Sequence, residues 1–304
     1  VKLRLRRDDD MIATGKRHDF LFRYRIGFDE TGRIDSAIID MATRSGNVAD
    51  LSAGVVARAL CHGNNAYYIP NVIFRGWPCK TNTVSNTAFR GFGGPQGMLA
   101  IETAMEHIAR DLGKTVEDVR AVNWMGTTDR NVMPYGQTVT ENIMPEIAER
   151  LAQEVDLDAR MKAIDAFNAS HTTLKKGIAL MPVTFGISFN APVLNQAGAL
   201  VHVYTDGSVH LNHGGTEMGQ GLFTKVAQVV SSVFQVDIDH VKISATRTDK
   251  VPNTTPTAAS AGSDLNGMAA FNAATEIRER MAGVVAEHFD VPADDIEFRQ
   301  NRVY

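Results

Sequence analysis

The sequence predicts an α+β fold in two modules, with mixed and antiparallel sheets and packed helices. Two observations carry this. Phe20–Phe28 alternates with the period of a half-buried strand, and the turn Asp29-Glu30-Thr31-Gly32 leads into a return strand, Ile34–Ala42. A second hairpin, Leu200–Tyr204 and Ser208–Asn212 around Asp206-Gly207, follows far along the chain. Helical patterns stand after each hairpin, above all Met98–Leu112 and Asp264–His288. At 304 residues and 44% hydrophobic, the chain can bury a sizeable core.

Taken in order, Leu51–Leu60 reads as a short helix carrying Arg58, whose spacing alone favours a solvated arginine. Ile73–Thr81 reads as a strand. It runs into Thr83–Gln96, TVSNTAFRGFGGPQ, where a glycine loop opens a helix at Pro95, a residue suited to a first turn that needs no N–H. Leu99, Ile101, Ala104, Met105, Ile108 and Leu112 give that helix its apolar face, and Gly113 its stop. Thr115 and Asp118 resemble a capping box for a helix to about Trp124. Gly126–Glu141 reads as irregular, and Asn142–Glu154 and Asp156–Ser170 as linking helices. The modules expected are therefore 1–125 and 171–304, joined by 126–170.

The second module begins with Lys176–Phe189, expected as a long buried strand. After the hairpin comes His213–Leu222, HGGTEMGQGL, with Gly214, Gly215, Gly219 and Gly221 around Glu217 and Gln220. A helix, Leu222 to about Phe234, follows. Strand, glycine loop and helix form a geometry that can hold an anion, or simply a turn. No Gly-Lys-Ser/Thr follows, so this is not a Walker A loop. Val241–Thr246 reads as a strand. Lys250–Gly262, KVPNTTPTAASAG, is a loop of small and hydroxylated residues that can cap the next helix or bind an oxyanion. Three loop-to-helix junctions, around Arg90, Gln220 and Ser260, point together to one extended or multi-anionic ligand.

Composition removes other classes. A net charge of −4 without a basic block disfavours nucleic acid. No apolar run approaches the roughly 18–20 residues of a membrane span. Val1–Asp10 is charged and unlike a signal peptide, so Cys61 and Cys79 are expected as free thiols in a reducing cytoplasm. Two cysteines cannot ligate a Cys₄ iron–sulfur cluster. The ends are expected to be cut: Val1 opens without methionine, and Ile296–Tyr304 reads as a strand with nothing after it to pair with.

FRGFGGPQG (Phe89–Gly97), FGISF (Phe185–Phe189), LNQAGALVHVYTDGSV (Leu194–Val209), HGGTEMGQGL and VPNTTPTAAS (Val251–Ser260) resemble, in order, the molybdopterin-binding subunit of bacterial-type xanthine dehydrogenases. The similarity runs over all 304 residues. It implies a molybdenum hydroxylase that oxidises xanthine or hypoxanthine with water-derived oxygen, in a partial xanthine dehydrogenase architecture. By resemblance, Phe89, Arg90, Met218, Gly219, Gln220, Ala259 and Ser260 would hold the molybdopterin. Arg90 and Ala259 would stand beside the molybdenum without ligating it. Phe92 and Phe189 would sandwich the purine, with Asn190 where the family has a threonine and Arg58 orienting the substrate.

The resemblance also carries departures. An upstream GGFGGKE-type loop and a downstream KAVGEPP-type motif, whose glutamate is the general base, are not in this sequence. Gly262 stands for a serine, with Ser263 beside it. The implied picture is an internal segment of an enzyme, inactive and without molybdopterin when alone. Its FAD and 2Fe-2S clusters would lie on partner domains or subunits of an oligomeric cytoplasmic enzyme of purine catabolism. A related hydroxylase for another N-heterocycle or an aldehyde, or a non-catalytic binding module, are the alternatives.

Overall fold

A computed structural model describes residues 3–244, 246–247, 249–250 and 254–304. The chain separates into two compact units, Val1–Gly186 and Ile187–Tyr304. The first opens with helix α1 (Arg7–Ala13) and a sheet of β1 (Phe20–Phe28), β2 (Ile34–Gly46) and β3 (Asn71–Lys80), in that order. β1 and β2 are the expected hairpin, paired antiparallel from Phe20↔Thr43 to Phe28↔Ile34. β2 runs four residues past the expected Ala42 because β3 pairs with it in parallel as far as Gly46↔Lys80. That parallel pairing needs a crossover, which helix α2 (Ser52–Cys61) supplies.

Helix α3 (Gly94–Leu112) lies in the same core, with Pro95 in its first turn and Gly113, at φ 65°, as its left-handed stop. Ile39 and Met41 of β2 pack with Ile101, Met105 and Ile108 of α3, and with Tyr67. Of the expected apolar face, Leu99 is instead exposed, and Met98 one position away takes the buried place. Thr115 caps helix α4 (Val116–Asn123) by accepting from the Asp118 N–H at 3.2 Å. Asp118 does not reach back to the backbone; it accepts the Thr115 hydroxyl at 2.7 Å, so the capping box is only half made. Helices α5 (Met144–Glu154) and α6 (Leu157–Ser170) follow the irregular connection.

The expected buried strand at Lys176–Phe189 does not form. The stretch is extended but pairs with no strand among the described residues, and Ile178, Met181, Val183, Phe185 and Ile187 are exposed. A continuous apolar run reads alike as a central strand or as a strap laid on a core, and only the neighbours decide. Here the neighbours are side chains. Arg120 donates to the Leu180 carbonyl at 2.8 Å, and Asn65 donates to the Pro182 carbonyl at 2.9 Å while accepting from the Thr184 N–H at 3.0 Å.

The second unit is built on β4 (Ala199–Val203), β5 (Val209–His213) and β6 (Val241–Ile243). β4 and β5 are antiparallel around a turn in which Asp206 accepts from the Ser208 N–H, and β6 joins β5 in parallel. Helices α7 (Leu222–Phe234) and α8 (Gly262–Phe289) complete the core through Leu222, Val226, Val230, Ala270 and Ala274 against Val201 and Leu211. The C-terminal stretch finds a strand partner after all. It folds on itself as β7 (Phe298–Arg299) and β8 (Arg302–Val303), turned by Gln300 and Asn301 at φ 49° and 63°. Two consecutive left-handed residues form the tight turn that matches strand twist.

Candidate functional site

In the first unit the glycines of FRGFGGPQG answer to packing. A Cβ on Gly93 would stand 2.0 Å from the Val55 carbonyl, and one on Gly97 2.2 Å from the Ala59 carbonyl. Both positions are glycine so that α3 can start against the backbone of α2. The preceding turn is held by Arg17, which donates to the Arg90 carbonyl at 2.6 Å and lies 4.4 Å from the Phe89 ring centroid. The Arg90 and Phe89 side chains themselves are exposed.

Arg58 is not the solvated arginine its spacing favours; it is only 5% exposed. It donates to the Gly186 carbonyl at 2.7 Å, with its guanidinium carbon 5.6 Å from the Phe185 ring centroid. Burial pulls its pKa below the ordinary arginine value. Phe92, at φ 52°, packs over Gly54, where a Cβ would stand 3.1 Å from its ring. Gly54 and Arg58 are four residues apart on α2 and so share one face. The structure thus brings together Phe92 and Arg58, two of the expected substrate residues. It adds Phe185, His62 and Gly186, which sequence reasoning missed, although the FGISF stretch marks two of them.

Behind this face lies a buried network. The Glu102 carboxylate accepts from Asn65 and Tyr67 at 2.8 Å each, and from Arg120 at 2.8 and 3.0 Å. Burial and the Glu102 charge push the Tyr67 phenol well above its usual range, so it stays a donor.

In the second unit three of the expected stretches meet. The Ser188 N–H donates to the Ala259 carbonyl at 2.7 Å, and the Thr216 N–H to the Thr257 hydroxyl at 2.8 Å. The Phe189 backbone is held at both ends by the Asn195 amide, at 2.9 Å each. Ser188–Asn190, the HGGTEMGQGL loop and the TPTAAS loop therefore form one wall of the second unit, carrying Phe189, Asn190, Gln220, Ala259 and Ser260. Val251, Pro252 and Asn253, the start of the VPNTTPTAAS motif, lie outside the described residues. Ala259 and Ser260 are both left-handed, at φ 58° and 57°. Helix α8 then starts at Gly262 with Ala261 at its cap position and no side-chain cap, so the expected Ser or Thr caps are not made.

The start of α7 is different. Glu217 accepts from the N–H groups of Gly219 at 2.7 Å, Gly221 at 3.1 Å and Phe223 at 3.0 Å. These bonds, that of Phe223 foremost, hold its carboxyl below the usual range. The donors read from sequence as an anion seat are occupied by the loop's own carboxylate. Gln220 is also turned inward: it accepts from the Met218 N–H at 2.6 Å and donates to the Thr216 carbonyl at 2.9 Å. Gly219 and Gly221 adopt φ 98° and 75°, which lets the loop close on itself.

Residues 1–124 and 150–304 match family descriptions of the molybdopterin cofactor-binding domain. This chain belongs to that family. Molybdopterin-domain relatives include xanthine dehydrogenase of Dictyostelium discoideum, 46% identical over 292 residues, which are 96% of this chain and 21% of that protein. Xanthine dehydrogenase/oxidase of Gallus gallus is 48% identical over 281 residues, 92% of this chain and 20% of that protein. Nicotinate hydroxylase hnxS of Emericella nidulans is 47% identical over 283 residues, 92% and 21%. The chain spans about a fifth of the length of these relatives. Among solved structures, quinoline 2-oxidoreductase of Pseudomonas putida 86 superposes with a TM-score of 0.79 at 22% identity, over 99% of this chain and 39% of that one. CO dehydrogenase of Oligotropha carboxidovorans gives 0.81 at 22% identity, over 96% and 38%. These likenesses bear out the α+β molybdopterin-domain fold. Cys61 and Cys79 form no disulfide among the described residues, and among those residues no helix is long and apolar enough to cross a membrane.

Proposed function

We propose that this chain forms pterin- and substrate-binding walls of a molybdenum hydroxylase that oxidises a purine such as xanthine or hypoxanthine. The observation that carries this reading is the joining of three loops in the second unit through Ser188–Ala259 and Thr216–Thr257. The donor set suits a pterin. Its edge alternates donors and acceptors, and the Gln220 amide, now satisfied by the Met218 N–H and the Thr216 carbonyl, offers the same alternation once it turns outward. Met218 would add the N–H that Gln220 releases on turning outward, and Gly219 the N–H now given to Glu217 once that carboxylate moves aside, while the uncapped start of α8 beside Ala259 and Ser260 suits negative charge. By the family resemblance, Arg90 and Phe89, exposed on the loop of the first unit, would be cofactor-contacting residues. The bound molybdenum–molybdopterin would supply the redox chemistry, while the protein supplies orientation and electrostatics.

By the same resemblance, Phe92 in the first unit and Phe189 and Asn190 in the second would be substrate-contacting residues, aromatic faces suited to a flat heterocycle. Attack on such a ring builds negative charge, and the fixed Arg58 guanidinium would stabilise that charge most in the transition state. The general base and the FAD and 2Fe-2S electron acceptors would come from other parts of an enzyme about five times this length. The modules would be 1–125 and 171–304 about a connection at 126–170, and purine catabolism in the cytoplasm is the setting this reading implies.

A second reading is favoured by the nicotinate hydroxylase relative, which is as similar as the xanthine dehydrogenases: a non-purine N-heterocycle as substrate. One experiment separates them. In the complete oxidoreductase carrying this chain, Arg58→Ala should lower kcat/KM for xanthine by roughly 10²–10³-fold, the scale of one lost oxyanion donor, and spare a simple aldehyde. Equal losses on both would overturn the purine reading. Wild-type turnover of nicotinate without turnover of xanthine would establish the second.

A further inference from the structure

Gly186 is held at its N–H and at its carbonyl by His62, the residue just past α2, and Arg58 in the last turn of α2. The Gly186 N–H donates to His62 Nε2 at 3.0 Å, and the Gly186 carbonyl accepts from Arg58 Nη1 at 2.7 Å. His62 is itself fixed, because its Nδ1 lies 2.8 Å from the Arg58 carbonyl. A carbonyl only accepts and an amide N–H only donates. Both imidazole roles are therefore dictated: Nδ1 carries the proton and Nε2 is bare. His62 is 4% exposed, and its ring centroid lies 4.8 Å from that of Phe185. A Cβ on Gly186 would stand 3.2 Å from Arg58 Nη1, so the strap already rests close on the guanidinium.

We propose that His62 is a positioning residue for Arg58. As the neutral Nδ1–H tautomer it grips the Gly186 amide, and through it holds in place the carbonyl that aims the Arg58 guanidinium. Arg58 in turn donates to the carbonyl of the same residue whose N–H His62 accepts from, and its own carbonyl fixes the His62 tautomer. The three groups form a closed cycle in which each orients the next. The functional meaning of the cycle rests on the reading of Arg58 as the substrate-orienting residue. The cycle itself does not.

The test is nuclear magnetic resonance on the full 304-residue chain, with no substrate present. The His62 imidazole should show a protonated Nδ1 and a bare Nε2; the opposite tautomer overturns the proposal. His62→Phe should speed exchange of the Gly186 amide and of the Arg58 guanidinium protons by about tenfold or more, the scale of one lost hydrogen bond to a partly buried group. The Thr184 amide, held by Asn65, and the core amides of Ile39 and Met105 should not change. His62→Gln, whose side-chain oxygen can replace Nε2 as acceptor, should restore Gly186 and Arg58 protection. Unchanged Gly186 or Arg58 exchange in His62→Phe overturns the proposal. Where that variant unfolds and the core amides exchange as well, His62→Gln decides, and loss of Gly186 protection in it overturns the proposal. Failure of the purine reading would appear elsewhere, as equal xanthine and aldehyde losses in Arg58→Ala.

Discussion

The strap at 180–186 and the loop at 213–223 solve one problem in opposite ways. Each is a stretch of backbone without a full ladder of strand or helix bonds. The strap is bonded by Arg120, Asn65, His62 and Arg58, between 60 and 128 residues away in sequence. The loop is bonded mainly by its own Glu217 and Gln220, none of whose bonds reaches beyond six residues. The difference is in how freely each can rearrange. The strap is tied to side chains of its unit's buried core, whereas the loop's bonds are local and could be exchanged for those of a ligand, as the proposed function asks of Gln220.

The contrast breaks most visibly at Glu102. Its carboxylate anchors Asn65 and Arg120, which hold the strap, and the Arg120 and Glu102 side chains are 4% and 5% exposed. Glu102→Ala leaves a buried guanidinium with the Leu180 carbonyl at 2.8 Å and Glu117 at 3.7 Å among the described residues. The loss expected is about 3–5 kcal/mol in urea unfolding of the first unit, with the strap amides released. A loss below about 1 kcal/mol would place the ion pair outside the strap's support.

Glu217→Gln sharpens the other side. The amides of Gly219, Gly221 and Phe223 should exchange faster while the unfolding midpoint of the second unit barely moves. Acid should act in the same way. The folded-state pKa of Glu217 is depressed, so its stabilisation is fully present above the ordinary glutamate value of about 4.3 and is lost as pH falls through the lowered one. A loop whose protection is flat from pH 6 down to about pH 2 would contradict this.

The same contrast explains what the sequence discloses. β1, both hairpin turns, α3 with Pro95 and Gly113, and the start of α7 are local, and their periods and turn residues announce them. So does the glycine loop, although its glycines do not announce that Glu217 fills the donors. Lys176–Phe189 could not be read, because its partners are side chains on α2, the Tyr67 approach and α4. An apolar run bonded by Arg120, Asn65, His62 and Arg58 looks the same in one dimension as one bonded by two strands. Arg58 fails for a related reason: helical spacing puts it on a face, but the distant strap that bonds its guanidinium is not visible from that spacing. At the C-terminus, Gln300 and Asn301 turn left-handed where no glycine signals a turn.

In the proposed function the second-unit wall is a molybdopterin seat, in which Gln220 would swap its loop partners for the cofactor. The direct measurement is molybdenum per polypeptide in the complete oxidoreductase, wild type against Gln220→Ala, with the fold of each checked by its unfolding midpoint. The account predicts an unchanged midpoint and a molybdenum content reduced several-fold, the consequence of about 1–2 kcal/mol of lost hydrogen bonding. Full molybdenum content in Gln220→Ala would contradict it.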